Sequence, residues 1–307
     1  MYRYIILVGL LSTFSNCVYS NNIIELDTIK IVSWNIQMTP KKLAPFSKVC
    51  RKNQKARAPE IIQYLNATNF DVVVLQELFD KSITKKFQND LKIKFPYQLS
   101  PIKEGFNLKL SSGVMILSKY PLEMINHVTF NVSKKIDRVV KKGCSLVKIN
   151  VGETPILVGG THLDSHNKES RNKQYEILKN NIIKPYLNDT VPLFLLGDFN
   201  TAKNSESYKV LDSLITLKNF KLNDNRPYSF DEFNSWNERG YNAWIDFIFY
   251  QNSKKIEALD QYILRPVMNY KKANMDLSDH YQIVLKAVIH QELQSFLKVV
   301  DGNSEQM

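Results

Sequence analysis

The sequence predicts an α/β protein that folds as one domain. Segments with strand patterning alternate with segments of helical periodicity along most of the 307 residues, which is typical of α/β architectures. No internal repeat and no linker rich in Gly, Ser or Pro divides the chain. A chain of this length can bury a large core, so one domain is expected rather than two.

The first half of the chain contains predicted strands and two predicted helices. The strands are expected at 29–34, 70–75 and 113–117, because these runs are apolar or alternate apolar with polar residues. Pro59 suits the first turn of a helix that has an apolar stripe at Ile61, Ile62 and Leu65. Residues 82–93 form the second predicted helix.

The second half continues the same alternation. A hairpin is predicted from 145–150 and 155–160, across the turn at 151–154. A long helix is expected from Glu169 to Leu187, interrupted or ended near Pro185. The remaining predicted strands are 191–196, 243–250 and 281–289.

Composition and charge limit the possible functions without choosing one. Hydrophobic residues make up 44% of the chain and charged residues 23%, which excludes a disordered or collagen-like protein. The formal net charge is +11. This excess favours an anionic partner, whether nucleic acid, an anionic membrane surface or a phosphate-bearing substrate.

The first twenty residues predict a secretory signal. Arg3 precedes the apolar run 5–11, and Val18 and Ser20 are small enough for a signal-peptidase site. An N-terminal core strand, a short anchor or a lipoprotein site at Cys17 are the alternatives. We therefore expect a signal at 1–20, a catalytic domain at 21–290, a polar tail at 291–307 and a secreted protein. No later apolar run reaches the ~18 residues that a transmembrane helix needs.

Two cysteines lie outside this predicted signal, Cys50 and Cys144. An oxidising compartment would permit a disulfide bond between them. Cys144 begins an apolar alternation, which favours a buried free thiol.

Eight polar residues lie beside or within the predicted strands, where a fold can bring distant side chains to one rim. They are Asn35, Glu77, His162, Asp198, Asn200, Asp246, Asp279 and His280. Carboxylates and amides are hard oxygen ligands for Mg²⁺, Ca²⁺ or Mn²⁺, and the chain has no Cys/His pattern of a zinc site.

The histidines complete a set suited to phosphoester hydrolysis. His280 beside Asp279 is a candidate base, and His162 and Asn200 are candidate donors to a phosphoryl oxygen. Each residue alone has an ordinary structural explanation: an Asn capping a turn, a solvated Glu, a Gly-Asp-Phe-Asn turn or a structural His. Their occurrence together, in this order, favours a catalytic site.

The ordered motifs resemble those of the endonuclease/exonuclease/phosphatase superfamily. The motifs are Ser33-Trp34-Asn35, Leu75-Gln76-Glu77, Gly160-Thr161-His162-Leu163, Gly197-Asp198-Phe199-Asn200, Ile245-Asp246-Phe247-Ile248 and Ser278-Asp279-His280-Tyr281. Within it the chain is most similar to secreted neutral sphingomyelinases of the sphingomyelinase C type. Further marks of that group are 35–38, 54–58, 76–80, 95–98, 113–121, 142–143 and 171–174.

The resemblance implies a fold, a reaction and a cofactor. The fold is a four-layer α/β sandwich like deoxyribonuclease I, with two mixed sheets between helices. The reaction is Mg²⁺-dependent cleavage of sphingomyelin into ceramide and phosphocholine at a membrane surface, with Mn²⁺ or Co²⁺ as substitutes for Mg²⁺. A monomer with peripheral membrane contact and no stable nucleic-acid complex is expected.

The resemblance also assigns roles to the candidate residues. The implied metal set is Glu77 as the main ligand with Asn35, Asp198, Asn200, Asp279 and His280. In the implied catalytic set, His280 activates water, and Asp279 orients His280 or joins the metal shell. Asp198 and Asn200 hold metal-bound water and phosphate oxygens, His162 is the transition-state or leaving-group donor, and Asp246 is a supporting carboxylate that positions His162 or its neighbours. Lys142-Gly143 are expected near the site.

One segment departs from the family pattern. Members of the family carry an aromatic-rich hairpin before the Ser-Asp-His motif for membrane contact, whereas residues 264–277 contain one aromatic, Tyr270. The device is therefore expected to be shortened or absent. Membrane contact would instead involve the basic segment 41–57 or residues 106–110, although an ordinary solvated surface and an edge strand also explain these segments.

Two other functions remain open. A secreted Mg²⁺-dependent nuclease on the same scaffold would also suit the net charge, but the sequence has no clear Arg/aromatic set for reading a duplex. A binding protein that retains the fold without turnover has no need of base, metal ligands and donors together.

Overall fold

The computed structural model describes residues 27–39, 48–103, 110–133, 137, 140–188, 190–237, 240–251 and 253–290 of the chain. For residue 27 and residues 48–52 it describes the backbone alone. The predicted signal at 1–20, the predicted tail at 291–307, residues 106–109 and much of the basic segment at 41–57 lie outside this description.

Two six-stranded sheets form the centre of the protein. The first contains β1 (Asp27–Met38), β2 (Val72–Leu78), β3 (Tyr97–Leu99), β4 (Met115–Ser118), β11 (Ile256–Leu264) and β14 (Gln282–Ile289). Its order is β11-β14-β1-β2-β4-β3. β1 is parallel to β2 and antiparallel to β14, so the sheet is mixed.

The second sheet is also mixed. It contains β5 (Leu122–Thr129), β6 (Gly143–Val151), β7 (Thr154–His162), β8 (Leu193–Asp198), β9 (Lys218–Asn219) and β10 (Asp246–Tyr250). Its order is β5-β6-β7-β8-β10-β9, with β7 and β8 parallel. The predicted hairpin is confirmed as β6 and β7.

The helices cover the outer faces of the two sheets. They are α1 (Lys48–Ala67), α2 (Lys81–Leu91), α3 (Lys168–Leu178) and α4 (Glu206–Ile215). Asp80, Asn167 and Ser205 cap the N-termini of the last three helices. The predicted long helix that ends near Pro185 is confirmed: α3 continues into one π-helical turn, Lys179–Ile183, and the helix ends two residues before Pro185.

Alternation along each strand divides its side chains between two cores. In β1, Ile29 and Ile31 face the second sheet, and Trp34 and Ile36 face the α1 and α2 side. A third core packs the outer face of the second sheet against α3 and α4. Three apolar layers thus separate four layers of secondary structure, which are helices, the first sheet, the second sheet and helices. This arrangement confirms the four-layer sandwich.

Helix α1 begins earlier than the sequence predicts. Pro59 lies inside the helix, which begins at Lys48. A proline in a helix interior removes one backbone hydrogen bond, and packing of Ile61, Ile62 and Leu65 into the core offsets that loss. The prediction of Pro59 in the first turn was therefore wrong.

Residues 264–277 do form a hairpin, and it is short. Strands β12 (Val267–Tyr270) and β13 (Ala273–Asp276) pair as a separate two-stranded sheet. Lys271 and Lys272 at the turn have positive φ. A hairpin is therefore present at this position, with Tyr270 as its one aromatic residue.

Arg57, the last residue of the predicted basic segment, and Lys142, which was expected near the site, are both buried. Arg57 has no exposed surface, and Lys142 is 2% exposed. Neither adds to a surface charge. No helix in the described ranges is both long and apolar enough to cross a bilayer.

Candidate active site

Four of the candidate side chains continue the inner faces of their strands. Asn35 follows Ile29 and Ile31 at even spacing in β1, and His162 follows Ile156 and Val158 in β7. Asp198 follows Leu196 in β8, and Asp246 precedes Ile248 in β10. All four lie 0–1% exposed. Strand alternation therefore carries these polar groups to one end of the space between the sheets.

Glu77 reaches the same place by an irregularity of the backbone. Regular alternation would put it with Val73 and Leu75 on the outer face of β2. Glu77 has a φ of 61°, Gln37 in β1 has a φ of 47°, and the β1–β2 register shifts between Asn35 and Met38. Non-glycine residues with positive φ are strained and cluster at functional sites. The strain here turns the Glu77 carboxylate inward.

A glycine permits the close approach of β8 to β7. Gly197 precedes Asp198, and a Cβ at Gly197 would collide with the backbone oxygen of Thr161. The glycine in the Gly-Asp-Phe-Asn motif thus has a packing reason, since only glycine lets the strand that carries Asp198 approach so closely.

Two carboxylates flank the amide of Asn35. Its Nδ2 donates to Oε1 of Glu77 at 3.3 Å and to Oδ2 of Asp198 at 3.0 Å. Burial and the neighbouring Asp279 raise the pKa of Glu77 to about 7, against the opposing influence of Lys142 and His280. The positive groups nearby do not balance carboxylates that lie so close together, so the cluster has an excess of negative charge.

His280 is held by Asp246. Nδ1 of His280 lies 2.8 Å from Oδ2 of Asp246, and Nε2 lies 3.9 Å from Oδ2 of Asp198. Burial alone would lower the pKa of His280, but the carboxylates of Asp246 and Asp198 hold the pKa well above its ordinary value. Nε2 thus faces the carboxylate cluster while Nδ1 is occupied.

The backbone on both sides of this pair is fixed. Trp34 donates from its indole to the His280 carbonyl at 3.0 Å, and Ser278 donates to the Asn35 carbonyl at 2.7 Å. The hydroxyl of Ser229 accepts from the backbone N–H of Asp246. Hydrogen bonds from separate elements therefore orient His280 and Asp246.

His162 is neutral in this arrangement. Its Nε2 lies 3.1 Å from Nζ of Lys142, 3.5 Å from Oδ2 of Asp198 and 3.9 Å from Oε1 of Glu77. Burial and the Lys142 ammonium lower the pKa of His162 to about 3. An ammonium can only donate, so Nε2 accepts and the proton is on Nδ1. Nδ1 has no hydrogen-bond partner among the described residues.

Lys142 provides the positive charge next to His162. It forms an ion pair with Asp137 at 2.9 Å and donates to the Leu163 carbonyl at 2.7 Å. Its charge is buried and compensated on one side by Asp137. The donor directed at His162 is thus the Lys142 ammonium.

Asn200 and Asp279 complete the rim. Asn200 has a φ of 50° and donates from Nδ2 to the Leu163 carbonyl at 3.1 Å, and its backbone N–H donates to Asp198 at 2.8 Å. Asp279 is half-buried, and Ser278 donates to it at 3.3 Å. All eight predicted residues therefore lie around one cluster.

Two details differ from the expected roles. Asp246 begins its strand rather than lying within it, and among His162 and its neighbours it is His280 that it bonds to. Asp279 does not bond to the imidazole that it was expected to orient, because Asp246 occupies the Nδ1 side. Asp246 and His280 are 34 residues apart in the sequence, and only the tertiary structure brings them together. The motifs therefore did not predict this contact.

The donor set fits a hard divalent cation. Glu77, Asp198 and Asp279 offer carboxylate oxygens in a cluster with excess negative charge. Asn35 directs Nδ2 at two of these carboxylates, and its Oδ1 accepts from the backbone N–H of Gln37. Asp198, Asp246 and His280 also have ligand atoms within 4.8 Å of one another. Because Asp246 is already bonded to the imidazole, the Glu77 and Asp198 side is the better cation position.

Arg57 is a site-supporting residue that the sequence analysis missed. Its guanidinium donates to the carbonyls of Ile36 at 3.1 Å, Gln37 at 2.9 Å and Leu277 at 2.9 Å. It thereby joins the end of β1, next to Asn35, to the segment before His280. Its position in a basic run suggested a surface, and only the family mark at 54–58 indicated otherwise.

Sequence comparisons with known proteins found that the chain is similar to sphingomyelinases. The chain is 24% identical over 299 residues to sphingomyelinase C of Leptospira interrogans, covering 87% of this chain and 53% of that protein. It is 25% identical to sphingomyelinase C of Listeria ivanovii, covering 83% of this chain and 85% of that protein. The chain thus spans about half the length of the Leptospira relative.

Solved structures show the same fold. Sphingomyelinase C from Streptomyces griseocarneus superimposes with a TM-score of 0.70 at 22% identity, covering 85% of this chain and 99% of that one. A mutant of Staphylococcus aureus beta toxin with bound magnesium ions gives 0.70 at 22% identity, covering 86% and 100%. The model of the Endonuclease/Exonuclease/phosphatase family matches residues 32–280. That match extends from β1 through His280, so the chain belongs to the Endonuclease/Exonuclease/phosphatase family.

Proposed function

We propose that the protein is a divalent-metal-dependent phosphodiesterase that hydrolyses sphingomyelin to ceramide and phosphocholine. The observation that carries the proposal is the single cluster in which Glu77 and Asp198 flank Asn35 beside the His280–Asp246 pair. The similarity to sphingomyelinases of Leptospira and Listeria supports the lipid substrate.

Glu77 would hold the cation as its main ligand. Asn35, Asp198, Asn200, Asp279 and His280 complete the set of side chains available around it. Bound Mg²⁺ would offset the charge of the phosphodiester and assist deprotonation of the attacking water. The buried position of Asp198 and Asn35 excludes bulk water from the other sides of the cluster.

His280 is the proposed general base. A cation bound beside Asp198 would offset the carboxylate charge that holds the pKa of His280 high, and would leave Nε2 unprotonated. Nε2 then takes a proton from water as the water oxygen attacks phosphorus, and Asp246 holds the imidazole by Nδ1. The bond from phosphorus to the ceramide oxygen breaks, and that oxygen takes up a proton. The products are phosphocholine and ceramide.

The remaining groups act on the charge that develops on phosphorus oxygens. Lys142 supplies a buried positive charge 3.1 Å from His162, and Asn200 supplies an amide at the rim. Fixed donors of this kind stabilise a phosphoryl transition state. His162 positions the Lys142 ammonium by accepting from it at Nε2, and as a neutral imidazole it would act through its Nδ1–H as a hydrogen-bond donor and not as an acid.

A substrate in a bilayer implies an enzyme that works at a membrane surface. The proposed signal at residues 1–20 would bring a domain of residues 21–290, with a tail at 291–307, to the cell exterior. A monomer with peripheral membrane contact is sufficient for this reaction.

The decisive experiment is a substrate panel. Sphingomyelin, phosphatidylcholine, lysophosphatidylcholine and plasmid DNA are each incubated with Mg²⁺ or with EDTA, and released phosphocholine and nicked plasmid are measured. Phosphocholine release from sphingomyelin that EDTA stops and Mg²⁺ restores is the expected result. Plasmid nicking without lipid hydrolysis would replace the proposal with a nuclease.

A further inference from the structure

Phe233 is the most exposed aromatic residue among those the structure describes. It is 67% exposed and lies between β9 and β10. Large apolar side chains that stay in water beside a site often mark an interaction surface. The position of Phe233 decides what that surface can contact.

The chain around Phe233 is well fixed by hydrogen bonds. The backbone N–H of Phe233 donates to Asp231 at 3.0 Å, and that of Ser235 donates to Asp276 in β13 at 2.7 Å. Trp236, three residues on, is 5% exposed and packs in the core beside the helices. The exposure of Phe233 is therefore a property of a fixed turn.

This turn borders the catalytic cluster. The ring of Phe230 lies 5.2 Å from that of His280 and 5.2 Å from that of Tyr241, which is 44% exposed. Asn234 donates to the carbonyl of Ser278 at 2.9 Å, two residues before His280. Exposed aromatic surface thus begins next to the proposed base.

Exposed cations accompany the aromatic residues. The guanidinium of Arg226 lies 5.1 Å above the Phe233 ring, its side chain is 43% exposed, and its Nη1 lies 3.6 Å from the buried carboxylate of Asp231. In the hairpin that Ser235 contacts, Val267 is 55% exposed and Lys271 and Lys272 at the turn are exposed. The acid nearest in sequence, Glu232, is bonded to the amide of Asn242 at 2.9 Å.

We propose that this region is the face that contacts a lipid bilayer, and we call it the Phe233 surface. It comprises Arg226, Phe233, Tyr241, Val267, Lys271 and Lys272. Aromatic side chains with adjacent cations suit the boundary between headgroups and acyl chains. The inference rests on the proposed lipid substrate, and it places the main contact at the turn of Phe233 instead of the basic segment 41–57 or residues 106–110.

The orientation follows from the site. A bilayer against Phe233 and Tyr241 would lie beside His280, so a headgroup could enter the cluster while its acyl chains stay in the membrane. Exposed apolar residues at the opposite end of the sandwich offer no such access. Ile93, which is 91% exposed, lies at the far end of α2 from Glu77.

Vesicle binding by the metal-free protein tests the surface without turnover. Full-length protein in EDTA is sedimented with phosphatidylcholine vesicles, with and without phosphatidylserine. Phe233→Ser should weaken binding on the order of tenfold, the factor that corresponds to part of a buried aromatic side chain. The matched control Ile93→Ser should bind like the unsubstituted protein.

The charges are tested in the same assay. Arg226→Gln, and separately Lys271→Gln with Lys272→Gln, should weaken binding to phosphatidylserine vesicles by roughly fivefold per charge, with less effect on phosphatidylcholine alone. Added salt should reduce this difference, since surface charges are screened.

Three results would overturn the inference. They are unchanged vesicle binding by Phe233→Ser, an equal loss by Ile93→Ser, and a dimer in light scattering that Phe233→Ser dissociates. A drop in rate on vesicles that exceeds the drop on dispersed short-chain sphingomyelin supports it. Failure to hydrolyse sphingomyelin with intact vesicle binding would contradict the proposed function alone.

Discussion

Nδ1 of His280 donates to Oδ2 of Asp246 at 2.8 Å, and both side chains are buried. This bond determines which nitrogen of the imidazole remains for chemistry. Nε2 is left facing the carboxylate cluster, 3.9 Å from Asp198. A carboxylate that fixes the tautomer of a histidine is a common means of orienting a base.

Asp246→Asn should lower kcat on sphingomyelin by about 10²- to 10⁴-fold, the range attributed to an oriented general base. The amide can present its NH₂ to Nδ1 and so favour the wrong tautomer. Single-turnover rates with saturating Mg²⁺, together with circular dichroism, measure the effect. Asp90→Asn, an exposed residue on α2, is the control. Full activity of Asp246→Asn would remove Asp246 from the mechanism.

Glu77→Gln should abolish the stabilisation that Mg²⁺ gives to the folded protein. Burial and Asp279 raise the pKa of Glu77 to about 7, so the protein without metal gains little from this carboxylate. In EDTA the variant should therefore melt at the same temperature or higher, while the Mg²⁺-induced rise in Tm is lost. Differential scanning calorimetry with and without Mg²⁺ provides both values.

The control for that change is Glu123→Gln, which alters an exposed carboxylate on β5. It should keep the Mg²⁺-induced rise. If Glu77→Gln keeps the rise as well, the cation lies elsewhere in the cluster, for example between Asp198 and Asp246.

The sequence was sufficient for much of this site because strand alternation is regular. Asn35, His162 and Asp198 continue apolar inner faces that are visible in the sequence. Glu77 could not be placed by alternation, since a positive φ turns it inward. Its motif alone suggested it.

Long-range contacts were beyond the sequence analysis. The bond between Asp246 and His280 joins residues that only the packed sheets bring together. Arg57 in a basic run predicts a surface, yet it is buried with its guanidinium on three backbone carbonyls. A charged residue that is bonded to such partners is stable inside a protein, but the amino-acid composition does not show which partners a residue will have.

Arg57→Lys should lower both stability and activity. The guanidinium fork bonds two segments, whereas one ammonium cannot reach the Ile36, Gln37 and Leu277 carbonyls in the same geometry. Each carbonyl left unpaired costs about 1–3 kcal/mol. Urea unfolding measures the stability, and Mg²⁺ titration of the rate measures the site.

A positioning role for Arg57 predicts a higher Mg²⁺ requirement in the fraction that remains folded, because Asn35 and Asp279 lose their fixed backbone. A merely structural role predicts fewer folded molecules with an unchanged Mg²⁺ dependence. Lys55→Met, at an exposed position of the same helix, should change neither quantity.

Cys144 should make the folded protein less stable in alkaline solution. Burial raises the pKa of its thiol, so the folded state keeps the proton after the unfolded thiol, with a pKa of about 8.5, has lost it. The unfolded state then binds fewer protons, and the free energy of unfolding falls by up to about 1.4 kcal/mol per pH unit above that value. Urea unfolding at increasing pH measures this slope. Cys144→Val, which retains an apolar side chain against Leu146 and Leu195, should show a shallower slope. Equal slopes for the two proteins would mean that other groups, such as buried tyrosines, cause the fall in the free energy of unfolding at high pH.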